Sequence, residues 1–175
     1  HVYKELAQRS DLDAVVHLGD YIYEYAQGGY ASEDAAALGR EVKPAGELIA
    51  LQDYRTRYAQ YRSDPDLQAA HQSQAFISVW DDHEIANDTW REGAENHHPG
   101  EGDFSARLKA AIQAYAEWMP IRPQVDNNIA SLQRSFQFGN LVNLIMLDTR
   151  IVGRDKPLDL ASYFTASGFN TQAYI

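Results

Sequence analysis

The sequence predicts an α/β fold: a central sheet flanked by helices, with acidic residues at the carboxyl ends of its strands. Two stretches carry this reading. Ala14-Val-Val-His-Leu18 is a short apolar run broken only by His17, and Gly19-Asp20 follows at once. Ala75-Phe-Ile-Ser-Val-Trp80 is a second apolar run, and it ends on Asp81-Asp82-His83-Glu84. Both are preceded by a stretch with helical character. A unit of helix, apolar strand and acidic end, met twice, predicts neighbouring parallel strands buried on both faces. Ligands of open α/β sheets bind beyond the carboxyl ends of the strands, so the two acidic ends are expected to face one site.

Taken in order, Val2 to Arg9 reads as the end of a helix leading through Ser10-Asp11 into the first strand. Gln27 to Gly46 is rich in Gly and Ala and too long for an ordinary connection, which suits a functional loop or lid. Leu48, Leu51, Tyr54, Tyr58 and Tyr61 recur at spacings of three and four and predict an amphipathic helix, its tyrosines in the core. Ser63 or Asp64 can cap a further helix that starts at Pro65 and runs to about Gln72. After the second strand, Asp88 to Gly102 is a polar, Gly-rich loop. Asp103 or Ser105 caps the next helix, with an expected buried face of Leu108, Ile112, Tyr115, Trp118 and Met119, ended by Pro120 and Pro123. Ser131 to Phe138 alternates like a strand, although Arg134 falls on its apolar face. Gly139-Asn140 is a hairpin signal, and Leu141 to Leu147 reads as a buried strand that ends on Asp148-Thr149-Arg150.

Composition narrows the function. An apolar fraction of 45% over 175 residues supports a sizeable core within one domain or a large piece of one. The formal net charge of -10, from 25 acidic and 15 basic residues, argues against a nucleic-acid-binding surface. The absence of cysteine excludes disulfides and thiolate metal sites. No apolar run reaches the roughly 18 residues a membrane span needs, and the chain shows no signal-peptide pattern. It opens on His1 inside a helical stretch and closes on Asn170-Thr-Gln-Ala-Tyr-Ile175, so residues 1–175 are expected to be the central part of a larger catalytic domain, truncated at both ends.

The chemistry is concentrated at the strand ends. Asp20, Asp81 or Asp82, and Asp148 each follow a predicted strand. Carboxylates gathered at one edge need cations to be stable, and an oxygen-rich set suits hard metals. Tyr23 stands three residues after Asp20, near enough to share a ligand with it. His83 and Asn87 add a proton donor and a neutral oxygen beside Asp82. Each has a plainer role open to it: Asp20 as a turn residue, Tyr23 as a packing aromatic, His83 as a hydrogen-bonded structural group, Asn87 as a turn asparagine. Arg150 could bind phosphate or pair with a strand-end Asp. His97-His98 reads as solvent-exposed, and His17 and His71 as structural.

Five motifs in this order, His17-Leu-Gly-Asp-Tyr-Ile-Tyr-Glu-Tyr25, Tyr58-Ala-Gln-Tyr-Arg-Ser-Asp-Pro-Asp-Leu-Gln68, Trp80-Asp-Asp-His-Glu84 with Asn87 following, Glu117-Trp-Met-Pro120 and Leu147-Asp-Thr-Arg150, resemble the PhoD-like alkaline phosphatases, a branch of the metallophosphoesterases. The resemblance implies a metallophosphoesterase-like central sheet, here as a partial domain. It implies a periplasmic or secreted enzyme that hydrolyses phosphate monoesters and diesters with a metal-activated water, using Fe3+ and Ca2+. By the same resemblance Asp20 bridges metals, Tyr23 is a phenolate ligand of iron, Asp82 is a metal ligand and Asn87 contacts metal or phosphate. His83 matches a histidine that acts near the leaving group. The family's earlier ligand, typically a Cys, precedes the motifs present here, and its later Asp and His ligands follow Leu147-Asp-Thr-Arg150; beyond Arg150 the sequence holds Asp155 and Asp159 but no His. The competing expectation is a non-catalytic fragment, or a calcium-binding structural module with an incomplete metal site.

Overall fold

The computed structural model of the chain describes residues 2–122, 132–166 and 168–170. It is a mixed helix and strand structure. Helix α1 (Val2–Gln8) leads into β1 (Val15–His17). Helices α2 (Leu51–Arg62) and α3 (Pro65–Ser73) precede β2 (Phe76–Ser78), and α4 (Phe104–Trp118) follows it. A hairpin of β3 (Arg134–Phe138) and β4 (Val142–Met146) comes next, and then a 3-10 turn, Leu160–Tyr163, before the short strands β5 (Phe164–Thr165) and β6 (Gly168–Phe169). Helix α1 packs on α3 and α2 on α4.

The helix boundaries have local causes. The Asp53 carboxylate reaches back to the backbone N–H groups of Ile49 (3.2 Å) and Ala50 (2.8 Å), donors that the first turn of α2 cannot satisfy. The expected helix from Leu48 therefore begins at Leu51, and Leu48 is buried just ahead of it. Asp64 caps α3 through the Leu67 N–H at 3.0 Å, with Pro65 in the first turn. Asp103, rather than Ser105, is the N-cap of α4.

The buried line of α4 is Phe104, Arg107, Ala111, Ala114 and Tyr115. Leu108, Ile112 and Trp118 are only half-buried, which corrects the expected face; Tyr115 and Met119 are buried as expected. Alanines in the line let α4 approach α2 closely, while the larger residues spread along the flanks. Tyr58 of α2 stacks on Trp118 with ring centroids 6.5 Å apart, and Trp80 meets Tyr115 edge-on at 5.3 Å.

Strands β1 and β2 pair in parallel, as expected, with Val15 opposite Phe76 and His17 opposite Ser78. β2 is fully buried, but Val16 on β1 and Leu18 just after it are exposed, so only the second strand has the burial read from its apolar run. β4 pairs antiparallel with β3 and does not join β1 and β2. The described strands form three two-stranded sheets, and the expected row of three acidic strand ends on one sheet is absent among the described residues. Arg134, the residue at odds with the strand pattern, reaches from β3 to the Ser78 carbonyl and ties the hairpin to β2. Pro123 and Ser131 lie outside the described residues.

Candidate metal centre

Register places the two acidic turns side by side. Val79 donates to the His17 carbonyl at 3.0 Å, so β1 and β2 end at the same level. Gly19 then turns with φ +110°, and a Cβ there would stand 2.2 Å from the Asp81 nitrogen. Only glycine lets the first turn lie this close against the second. Asp20 follows with φ 56°, a left-handed conformation that Asp tolerates better than most residues.

Glu84, fully buried, fastens the two turns together. Its carboxylate accepts from the Tyr21 N–H at 2.5 Å and from the Asp81 N–H at 2.8 Å. Burial pushes its pKa up to about 7 in spite of these donors. As a result Asp20, Asp82 and His83 each offer a ligand atom, and these atoms lie within 4.8 Å of one another.

The Asp20 side of the cluster is short of donors. One Asp20 oxygen accepts from the Tyr23 hydroxyl at 3.3 Å, but Oδ1 is buried and lacks a hydrogen-bond partner among the described residues. Such an oxygen is costly to leave unsatisfied. Burial raises the Asp20 pKa; His83 opposes it, nearby Asp82 and Asp81 push it further up, and the hydrogen bond from Tyr23 opposes them. Asp82 is 5% exposed and takes the Asp88 N–H at 2.5 Å. Carboxylates, an imidazole and a buried oxygen with no donor fit a hard or borderline cation. The Tyr23 ring lies 4.4 Å from the His83 ring, and burial, followed by the charge of Asp20, raises the phenol's pKa. Tyr23 therefore holds its proton and donates it to Asp20 in a hydrogen bond.

His83 is oriented from behind by Glu24, which the sequence reading passed over. Fully buried Glu24 accepts from His83 Nδ1 at 2.7 Å, from the Asn87 N–H at 2.7 Å and from the Asn96 side chain at 2.8 Å. Burial works to raise the Glu24 pKa, but these bonds outweigh it and hold it below the usual value. Burial likewise works to lower the pKa of His83, and the bond to Glu24 raises it instead. With Nδ1 engaged by Glu24, Nε2 is the ring nitrogen left to face the cluster, oriented by a buried carboxylate. The available signal was a lone acid among aromatics four residues after Asp20, since Glu is rarely buried without partners. Asn87 sits on the same loop; its side-chain nitrogen donates to Glu95 at 2.9 Å, which leaves the amide oxygen as its ligand atom.

Buried arginines hold the loops behind the cluster. Arg57 donates to the carbonyls of Tyr23, Tyr25 (3.0 Å) and Lys43 (2.9 Å), fixing the strand end to the long loop. Arg107 bonds the Asn96 carbonyl (2.7 Å), the Tyr54 hydroxyl (3.1 Å) and Glu47 (2.7 Å), and Tyr54 in turn donates to the Ile85 carbonyl at 2.6 Å.

Other sequence candidates take structural places. Arg150 grips Asp81 through two bonds and lies 3.3 Å from Asp82 and 3.5 Å from Asp88, so the ion-pair role describes it. Asp148 caps its own turn through the N–H groups of Arg150 (2.9 Å) and Ile151 (2.8 Å). His98 is exposed, but His97 is half-buried against Phe104 and bonds the Gly102 carbonyl, contrary to the solvent-exposed reading. His17 bonds the Tyr3 hydroxyl at 3.3 Å, and His71 bonds the Tyr21 hydroxyl at 2.8 Å, as expected of structural histidines.

A family model described as PhoD-like phosphatase matches residues 1–173. The chain belongs to the PhoD-like phosphatase family. Over 150 residues it is 43% identical to alkaline phosphatase D of Bacillus subtilis (strain 168), a match that covers 85% of this chain and 25% of that protein. A solved structure of PhoD superposes with a TM-score of 0.73 at 42% identity, covering 85% of this chain and 28% of that one. This PhoD-like chain thus spans about a quarter of the length of the relatives it matches. The likeness extends to the mixed helix and strand framework on which the strand-end cluster is built.

Proposed function

We propose that the chain forms part of a multi-metal centre that hydrolyses phosphate esters, as the name of its relative alkaline phosphatase D suggests. The observation that carries this reading is the buried, donorless Asp20 oxygen within the Asp20, Asp82 and His83 cluster of a PhoD-like chain. Fe3+ and Ca2+, the metals the family resemblance implies, would be held by Asp20 as the bridging carboxylate, Tyr23 as a phenolate, Asp82 as a carboxylate and Asn87 as an oxygen donor. Bound metals supply Lewis acidity toward the phosphate oxygens and a more acidic water. His83, held by Glu24, carries a proton at Nε2 and delivers it toward the leaving oxygen. The finer architecture belongs to the same reading: β1 and β2 are neighbouring strands of a metallophosphoesterase-type central sheet. A periplasmic or secreted location is proposed on the family resemblance; no described helix is long and apolar enough to cross a membrane.

The test is made in the full-length protein. Asp20→Asn keeps the volume and removes the bridging charge. It should lower turnover of an aryl phosphate at least about 100-fold, with metal content reduced and the circular dichroism unchanged. A metal-loaded Asp20→Asn protein with wild-type turnover would remove the bridging role. If iron is bound, its phenolate absorption band should vanish in Tyr23→Phe; a band that persists excludes Tyr23 as its ligand. Calcium binding with neither iron nor turnover would establish the structural-module alternative instead.

A further inference from the structure

Three tyrosine rings border the cluster, and one is left largely in water. Tyr23 lies 4.4 Å from the His83 ring and Tyr25 lies 5.4 Å from it. Tyr30 stacks on Tyr23, with centroids 5.8 Å apart and planes 21° from parallel, and meets Tyr25 at 5.9 Å. Yet Tyr30 remains 70% exposed, whereas the core tyrosines Tyr54 and Tyr58 are fully buried. A ring anchored on two others loses little freedom and keeps an open face.

The backbone is built to hold it there. A Cβ on Gly29 would come within 3.0 Å of the Ala26 carbonyl and of the Tyr25 Cβ, so glycine is what lets the loop fold back over Tyr25. The Gly29 N–H bonds the Ala26 carbonyl at 3.1 Å, and the Ser32 hydroxyl bonds the Gly29 carbonyl at 2.6 Å. Immediately after Tyr30, Ala31 takes φ 53°, a left-handed turn that reverses the chain.

We propose that Tyr30, backed by Tyr23 and Tyr25, is a stacking subsite for a planar aromatic leaving group of the phosphate ester, beside the His83 that protonates its oxygen. The proposal rests on the phosphoesterase reading and adds a substrate class to it. An aromatic group laid on the open face of Tyr30 gains an offset-stacked contact, which an alkyl ester of the same charge cannot make. The loop thus contributes selectivity while the strand ends contribute the chemistry.

The experiment compares phenylphosphonate with methylphosphonate, each titrated calorimetrically into the metal-loaded full-length protein. The wild type should prefer the phenyl compound. Tyr30→Ala should weaken phenylphosphonate about three- to tenfold and methylphosphonate less than about twofold. Tyr30→Phe should keep the preference, because the ring and not the hydroxyl does the stacking. Metal content should be equal in all three proteins. Equal wild-type affinities for the two phosphonates, or equal losses in Tyr30→Ala, would overturn the subsite and leave the phosphoesterase reading standing. Failure of the wild type to bind either phosphonate would overturn both.

Discussion

The paired turns after β1 and β2 and the hairpin of β3 and β4 contain the same sequence device, an apolar strand that runs into aspartate. They differ in what surrounds it. At the first pair, Gly19 brings two turns into contact, Glu84 binds a backbone N–H from each, and Glu24 and Arg57 hold the loops behind. The carboxylates of Asp20 and Asp82 converge there. At the hairpin, Met146 is buried, but Leu141 is 94% exposed, and Val142, Ile145 and Leu147 also face solvent. Asp148 there turns back on its own backbone. A strand-end aspartate becomes part of a site only where a second strand end is fixed against it.

The largest effect should separate the two regions by one methyl group. Gly19→Ala puts a Cβ against Asp81 at positive φ, and it should cost about 3 kcal/mol or more, or prevent folding. Gly139 also has positive φ, 55°, but a Cβ there meets nothing within 4 Å, so Gly139→Ala should cost only about 1 kcal/mol. Urea unfolding of the pair measures both; equal losses would mean that the turns are not in contact.

A smaller effect concerns the floor under β1 and β2. Burial, with the nearby charge of Arg62 and then His17, lowers the His71 pKa from 6.5 to about 4. Between these values the unfolded chain binds a proton that the folded chain refuses. Stability is therefore fully present above about pH 6.5 and is lost as pH falls toward 4, by roughly 1 kcal/mol once partial exposure is discounted. His71→Gln should flatten that part of the stability profile. An unchanged slope would assign the acid sensitivity to other groups.

The smallest effect is expected on the hairpin. Val142→Thr on a solvated face should change stability by less than about 0.5 kcal/mol. A loss above about 1 kcal/mol in the full-length protein would show that this face is covered there, and would make the hairpin resemble the paired turns more than the present structure does.

What the sequence determined by itself was local or periodic. Apolar runs marked β1 and β2, spacings of three and four marked α2, and the pairs Ser63 or Asp64 and Asp103 or Ser105 marked two helix starts. Gly139-Asn140 marked the hairpin, and short motifs identified Asp20, Tyr23, Asp82, His83 and Asn87 as the residues to watch. The strand, helix, cap and turn readings hold because such features are set by residues a few positions apart. The tertiary structure decided which strand end joins which. It turned Asp148 onto its own backbone, committed Arg150 to Asp81, and moved the buried line of α4 onto Arg107, Ala111 and Ala114. It also gave Glu24 and Glu84 their roles, because a carboxylate that takes donors from a distant turn carries no sign of it in the sequence. Apart from the Asp81 N–H beside Glu84, those donors lie more than 50 residues away and are brought within 3 Å only by strand register and close packing.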